Sequence, residues 1–151
     1  IIDTAHEKGM EIVFNPSPFG AEIKSFPLEK VTWFVVNETE AQELTGQSDP
    51  QKALDSFSEK FPKSNIVLTL GGDGAYCFAD GRLYHRDIFR VHVVDTTAAG
   101  DTFLGFFFAL LNDRGVEDAL RYASAASAIA VSRSGASASI PTLDEVEDFF
   151  R

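Results

Sequence analysis

Apolar runs of strand length and apolar positions at helical spacing alternate along the chain, and that alternation predicts the order of elements. "MEIVFN" (10–15) is a short buried-strand pattern ending in the turn "NPSPFG", and "VTWFVVN" (31–37) is a second, rich in β-branched and aromatic residues. "ETEAQELTG" then predicts a short helix stopped by Gly46. "DPQKALDSFSEKFP" predicts another, with Asp49 as its cap and Pro50 at its first helical position. "NIVLTL" (65–70) is an uninterrupted apolar strand, "GGDG" a turn, and "AYCFADGRLYHR" alternates around Asp80-Gly81 as a hairpin does. "FRVHVVD" (89–95) reads as a further strand. From Phe103 the apolar positions 103, 106, 107, 110 and 111 keep helical spacing. Leu104 and Phe108 extend the apolar surface around most of that helix, which predicts a central buried element. "VEDALRYASAASAIAVSR" (116–133) predicts a second long helix whose Ala and Ser residues allow close backbone approach, and "PTLDEVEDFFR" an amphipathic closing helix. At the start, "IIDTAHEKG" resembles the last turns of a helix closed by Gly9.

Strands alternating with helices, with long apolar strand runs, predict an α/β sandwich around a largely parallel sheet, in one domain over residues 1–151. In such sheets ligands bind beyond the carboxyl ends of the strands. Asn37, "GGDG" and "DTTAAGD" all follow predicted strands, so the candidate chemistry collects on one rim.

The formal charge of −10 narrows the choice of ligand. Its long-range field argues against general affinity for nucleic acid or an anionic membrane. A nucleotide would need a local exception, and helix N-terminal amides or a bound divalent cation supply one without basic side chains. The single cysteine, Cys77, excludes an internal disulfide framework and reads as packing in an apolar strand; it fits a reducing compartment, with the cytoplasm as the default expectation. No segment has the character of a signal peptide or the length of a membrane span. His6, His85 and His92 lack metal-ligand spacing.

Three stretches carry candidate chemistry. In "DTTAAGDTF", Ala98, Ala99 and Gly100 are too small to obstruct an incoming group, and they precede a helix whose first N–H groups lack internal partners. Asp101 there is either a general base for a hydroxyl attacking phosphorus held by those N–H groups, or simply an N-cap, with Gly100 serving the turn. "TLGGDG", residues Thr69, Leu70, Gly71, Gly72, Asp73 and Gly74, is either a bare-backbone turn that admits a nucleotide or a plain strand-turn-strand; it matches neither GxxxxGK[ST] nor GxGxxG. Asn37 and Glu40 form N-x-x-E, which suits a hydrated Mg2+ with a phosphate oxygen and equally suits a capping box.

Together and in this order, "NETEAQELTG", "VLTLGGDGAY", "DTTAAGDTFLGFF" and "AASAIAVSRSGASASIP" closely resemble the PfkB carbohydrate-kinase family, in particular its ribokinase-like members. The resemblance implies a three-layer αβα sandwich around a mainly parallel sheet. It implies transfer of the ATP γ-phosphoryl group to a sugar hydroxymethyl group, with Asp101 as the base and the only surviving substrate contact. The N–H groups of Ala98, Ala99 and Gly100 then stabilise charge on the transferred group. Asn37 and Glu40 look like the family's NxxE element, which arranges phosphate and, through water, Mg2+. Residues 69–74 resemble the loop lining the nucleotide, and Ser124 falls where the Ala-rich helix borders the adenine. A K+ ion is also implied, held by oxygens of Asp95, Thr97, Ala130, Arg133, Gly135 and Ser139.

The chain corresponds to about the C-terminal half of a family member. The early strands, the lid, the N-terminal glycine signature and nearly all sugar contacts have no counterpart in it, and with the lid goes the element that often mediates a homodimer. The expectation is therefore the nucleotide-binding and catalytic part of an ATP-dependent sugar kinase. The rival is a non-catalytic nucleotide-binding or interaction module that keeps this scaffold. A dehydrogenase-like dinucleotide fold is disfavoured by the missing fingerprint turn.

Overall fold

The computed structural model describes residues 1–151 and divides into two compact units. The first comprises residues 1–71 with 76–84, the second residues 72–75 with 85–151.

The sheet orders its five strands as they occur in the chain: β1 (Val13–Phe14), β2 (Trp33–Asn37), β3 (Asn65–Thr69), β4 (Ala75–Ala79) and β5 (Arg82–Arg86). β1, β2 and β3 are parallel, with Trp33 opposite Asn65 and Asn37 opposite Thr69. In β2 the four residues from Trp33 to Val36 are buried, as expected of a central strand covered on both faces. β1 is shorter than its apolar run predicts: it is an edge strand, and Val13 remains 41% exposed. Asp80 and Gly81 both take positive φ, 51° and 74°, as a type I′ hairpin turn demands.

Before β1 stands α1 (Ile2–Glu7), followed by Gly9 in the left-handed region as expected. α2 (Glu38–Thr45) and α3 (Pro50–Lys60) carry the chain from β2 to β3. Gly46 closes α2 in a left-handed cap, and Asp49 accepts from the Lys52 N–H at 2.9 Å to open α3 ahead of Pro50. Ala53, Leu54 and Phe57 turn inward from α3. Phe34, fully buried, anchors this core against Phe57 and Phe61, with ring centroids 5.3 and 4.8 Å away. Cys77 is buried in β4, and burial pushes its thiol pKa up to about 12, which leaves it a packing residue.

In the second unit, α4 (Ala99–Val131) is interrupted at Gly115, whose φ of 76° and ψ of 173° leave the helical region. Two helical segments result, 99–114 and 116–131, matching the two predicted elements. The first is less enclosed than its composition suggests. Thr102, Phe103, Phe107 and Leu110 form its buried stripe, whereas Leu104, Phe106, Phe108 and Leu111 are half-buried. Apolar character around a helix does not itself supply neighbours on every side. The segment 116–131 buries Ala119, Leu120, Ala123, Ala126 and Ile129 among others, as its small residues allow. α5 (Leu143–Phe149) opens on a capping box between Thr142 and Glu145 and buries Val146.

The strand expected over residues 89–95 does not form. Strand-like alternation requires a partner edge, and here Val93 and Val94 are 56% and 54% exposed. The N–H groups of Val94 and Asp95 instead both donate to the carbonyl of Val131, at 2.7 and 3.2 Å, which fastens this extended segment to the end of α4. The same fixation is reinforced by Asp95. Its Oδ1 accepts from the Thr97 N–H (2.9 Å) and hydroxyl (2.6 Å), and its Oδ2 accepts from the Gly135 N–H at 3.1 Å.

Two stability predictions follow from these contacts. Thr102 is 2% exposed and its hydroxyl has no hydrogen-bond partner, so Thr102→Val removes an unsatisfied polar atom at nearly constant shape. The unfolding free energy from urea titration should stay or rise, by up to about 1–2 kcal/mol at unchanged m, and a loss of more than about 1 kcal/mol contradicts it. Acid should act through Asp95, whose pKa is lowered by its bonds to Thr97 and Gly135, and Glu145, lowered by Arg133 and the Thr142 N–H. A carboxylate with a depressed folded pKa stabilises above its unfolded value, about 4, and that contribution disappears as pH falls through the depressed value. Melting temperature should therefore be flat near pH 6 and fall below about pH 4. Asp95→Asn should melt lower at pH 6 and lose less on acidification, and parallel pH profiles for both chains would refute the assignment.

Candidate nucleotide and phosphate site

In the first unit, the register of β2 and β3 puts Asn37 beside Thr69 at the carboxyl ends of adjacent parallel strands. Asn37 caps α2: its Oδ1 accepts from the Glu40 N–H at 2.9 Å, while its own N–H donates to Glu40 Oε2 at 2.9 Å. The capping-box reading is thus correct as local structure. It does not displace a functional one, because Glu40 is held in a single orientation with Oε1 outside the box. Glu40 is only 4% exposed, and its carboxylate is fixed where α2 begins. The Thr69 hydroxyl points back along the ladder to the Val36 carbonyl at 3.4 Å. Leu70 is buried, and Gly71 follows with φ of 50°.

The rest of the glycine turn belongs to the second unit. Gly74 is required by the fold: φ is 92°, and a Cβ would collide with the Arg86 carbonyl. Gly72 has neither constraint, since its Cβ would meet nothing. Asp73 is exposed in a 3-10 turn over Gly71–Asp73.

α4 begins at Ala98, which supplies no side-chain cap. Asp101 is the third helical residue, so it is not the N-cap that its position beside Gly100 suggested. Its side chain is exposed and accepts no hydrogen bond from the protein, while its charge lies at the favourable end of the helix dipole. Gly100 is also not needed for the turn. It keeps ordinary helical φ, and a Cβ there would meet open space. Of the three expected amides, that of Ala99 is occupied, donating to the Thr96 carbonyl at 3.2 Å. The Gly100 N–H stands in the first turn, where the helix provides no acceptor.

The six oxygen-bearing residues expected around a monovalent cation all lie in the second unit. Asp95 and Gly135 are bonded directly, and Thr97 is tied to the same carboxylate. The Ala130 carbonyl accepts from the Arg133 N–H at 3.1 Å, and the Arg133 side chain reaches away to Glu145 at 2.6 Å. Ser139 is buried, its hydroxyl donating to the Ala136 carbonyl at 2.7 Å. Ser124, expected beside an adenine, donates to the Leu120 carbonyl at 2.8 Å. No group of three or more His, Cys, Asp or Glu side chains converges on a possible metal position. An open groove of about 340 Å3 beside Arg133, Glu145 and Phe149 contains none of residues 95–101.

Two features were not foreseen from sequence. Thr102 buries an unpartnered hydroxyl directly after Asp101, and Ser127 donates to the carbonyl of Ala99 at 3.1 Å. The only sequence signal for the second is that Ser124 and Ser127, three residues apart, share a helix face.

Residues 1–143 match the model of the pfkB family carbohydrate kinases. A ribokinase of Haemophilus influenzae is 39% identical over 151 residues, an alignment covering 96% of this chain and 49% of that protein. The ribokinase of Thermotoga maritima superposes with a TM-score of 0.83 at 32% identity, covering 97% of this chain and 51% of the other. The ribokinase of Arabidopsis thaliana, solved with ribose and ATP, gives 0.85 at 26% identity, with 99% and 50% covered. The chain spans about half the length of these relatives, and its fold is the corresponding part of the ribokinase-like αβα sandwich. By the match over residues 1–143, the chain belongs to the pfkB family of carbohydrate kinases.

Proposed function

We propose that residues 1–151 are the nucleotide-binding and catalytic part of an ATP-dependent sugar kinase, which moves the γ-phosphoryl group of ATP to a sugar hydroxymethyl group. One observation carries the reading. An exposed carboxylate without protein partners, Asp101, stands one residue after Gly100, whose amide lacks an acceptor and whose missing side chain the fold does not require. The Arabidopsis relative, whose structure is complexed with ribose and ATP, supports the same pairing of ligands.

In this reading Asp101 accepts the proton of the sugar hydroxyl as its oxygen attacks the γ-phosphorus. The bond from that phosphorus to the ADP oxygen breaks, and ADP leaves. The N–H groups at the start of α4 stabilise the charge on the equatorial oxygens, the kind of fixed electrostatic support on which phosphoryl transfer depends. Thr69, Leu70, Gly71, Gly72, Asp73 and Gly74 line the nucleotide, with Asn37 on its phosphates and Ser124 near its base.

Mg2+ fits the donor set only indirectly. A capping-box carboxylate with one oxygen left over suits a hydrogen bond from metal-bound water rather than an inner-sphere bond. Glu40 would hold it there, and it would supply charge neutralisation for the phosphates. K+ would be held by Asp95, Thr97, Ala130, Arg133, Gly135 and Ser139, of which the bonds of Asp95 join Thr97 and Gly135. The lowered pKa keeps the Asp95 carboxylate anionic, and the backbone carbonyls need no particular side chains. We place the intact protein in the cytoplasm, in keeping with the single buried cysteine of this chain, and take a homodimer as its assembly.

The rival reading is a nucleotide-binding module without turnover. Calorimetry with Mg-ATP, together with phosphorylation assays on ribose, deoxyribose, fructose and 2-keto-3-deoxygluconate, separates the two. The assays use the protein as its gene encodes it. Nucleotide binding without transfer to any sugar establishes the module.

Asp101→Ala should lower kcat about 100- to 10,000-fold while ATP affinity changes less than about threefold. Near-wild-type turnover would remove Asp101 from the role of base. Gly100→Ala separates fold from function: the unfolding midpoint should hold or rise, since alanine is the better helix former by about 1 kcal/mol, while kcat/KM falls at least about tenfold. Full activity in that variant would show that nothing approaches the backbone at this position.

A further inference from the structure

We infer that Ser127 is a positioning residue for the anion-binding turn at the start of α4, an inference that rests on the kinase reading above. Its hydroxyl donates to the carbonyl of Ala99 at 3.1 Å, across 28 residues of sequence. That carbonyl belongs to the peptide group whose N–H is the N–H of Gly100. A donor on the oxygen of an amide draws electron density from its nitrogen and makes its N–H a stronger donor, while fixing the plane in which that N–H points. Ser127 therefore acts on the one amide in this turn that both faces a bare glycine and lacks an acceptor.

The bond is not the default for a helical serine. Ser124, on the same helical segment, donates back to the carbonyl four residues earlier, Leu120, at 2.8 Å. Ser127 forgoes the equivalent bond to reach the first turn of the other segment. The neighbouring amide cannot substitute, because the Ala99 N–H is engaged by Thr96 at 3.2 Å. The first segment is thus fixed at its functional end by a residue of the second, and both segments belong to one compact unit. A bond to the peptide that contacts the transferred group is worth more in the transition state, where charge on the phosphoryl oxygens is redistributed, than in the ATP complex.

The test pairs Ser127→Ala with Ser127→Thr in the protein as its gene encodes it, and Asp101→Ala as the control on the underlying reading. Ser127→Ala should lower kcat about three- to tenfold, with KM for ATP within about twofold. Ser127→Thr, which retains the hydroxyl, should recover at least half of the lost kcat. The Gly100 amide proton should move upfield in the alanine variant and return in the threonine variant, a readout that needs no turnover. Unchanged kcat in Ser127→Ala, or a Gly100 resonance indifferent to the hydroxyl, overturns the inference. If Asp101→Ala keeps full turnover, the kinase assignment of this turn fails instead, and the amide shift then still reports whether the Ser127 bond polarises the peptide.

Discussion

A helix begins with amides that its own backbone cannot satisfy, and this chain treats that constraint in two ways. α2, α3 and α5 open on side chains that supply the missing acceptors: Asn37, Asp49 and Thr142, two of them in reciprocal boxes with Glu40 and Glu145. α4, the longest helical run, opens on Ala98, which supplies none. α1 likewise opens on Ile1 without a side-chain cap, but it has only six residues, so α4 is the long helix whose first turn keeps a Gly100 amide without an acceptor. For a chain of charge −10 this matters, because the long-range field repels phosphate and short-range backbone donors are one means of reversing it locally.

Most of the fold was legible because its signals are local. The boundaries of α2 and α3 follow from Gly46, Asp49 and Pro50, and the hairpin from Asp80-Gly81; in each case one or two residues determine the backbone. What failed was non-local. "FRVHVVD" has the composition of a strand, yet no edge pairs with it, and its end is fastened to Val131 instead. The helix from Phe103 carries apolar residues on most sides but buries one stripe, since burial depends on what lies opposite. Pattern specifies what a segment can do, and the presence of a partner decides whether it does.

The candidate site divides along the same line. Asn37 and Glu40 form a spacing motif that suited a cap and a phosphate site equally, and the cap forms. Asp101 beside Gly100 was ambiguous from spacing alone, and the structure rejects the simple alternative by placing Asp101 at the third helical residue rather than at the cap. Ser127 could not be found by spacing, because its acceptor lies 28 residues away and is a backbone carbonyl of a residue whose side chain is irrelevant. Asp95 is intermediate: its bonds to Thr97 are of the local kind an Asp forms with its own loop, whereas its bond to Gly135 spans 40 residues.

The glycines show why smallness is informative only once the fold's own demands are subtracted. Gly74 has positive φ and no room for a Cβ beneath the Arg86 carbonyl, so its identity is accounted for by the chain alone and says nothing about a ligand. Gly72 and Gly100 have ordinary φ and open space, and in the first turn of α4 an alanine would stabilise the helix. At such a position the fold supplies no internal reason for glycine, and close approach of a ligand is one external reason. In Gly100 that reason coincides with an amide lacking an acceptor, a peptide oxygen held by Ser127 and an unpaired carboxylate one residue later. A backbone donor left bare, oriented and adjacent to a carboxylate is an arrangement that suits an approaching phosphoryl group.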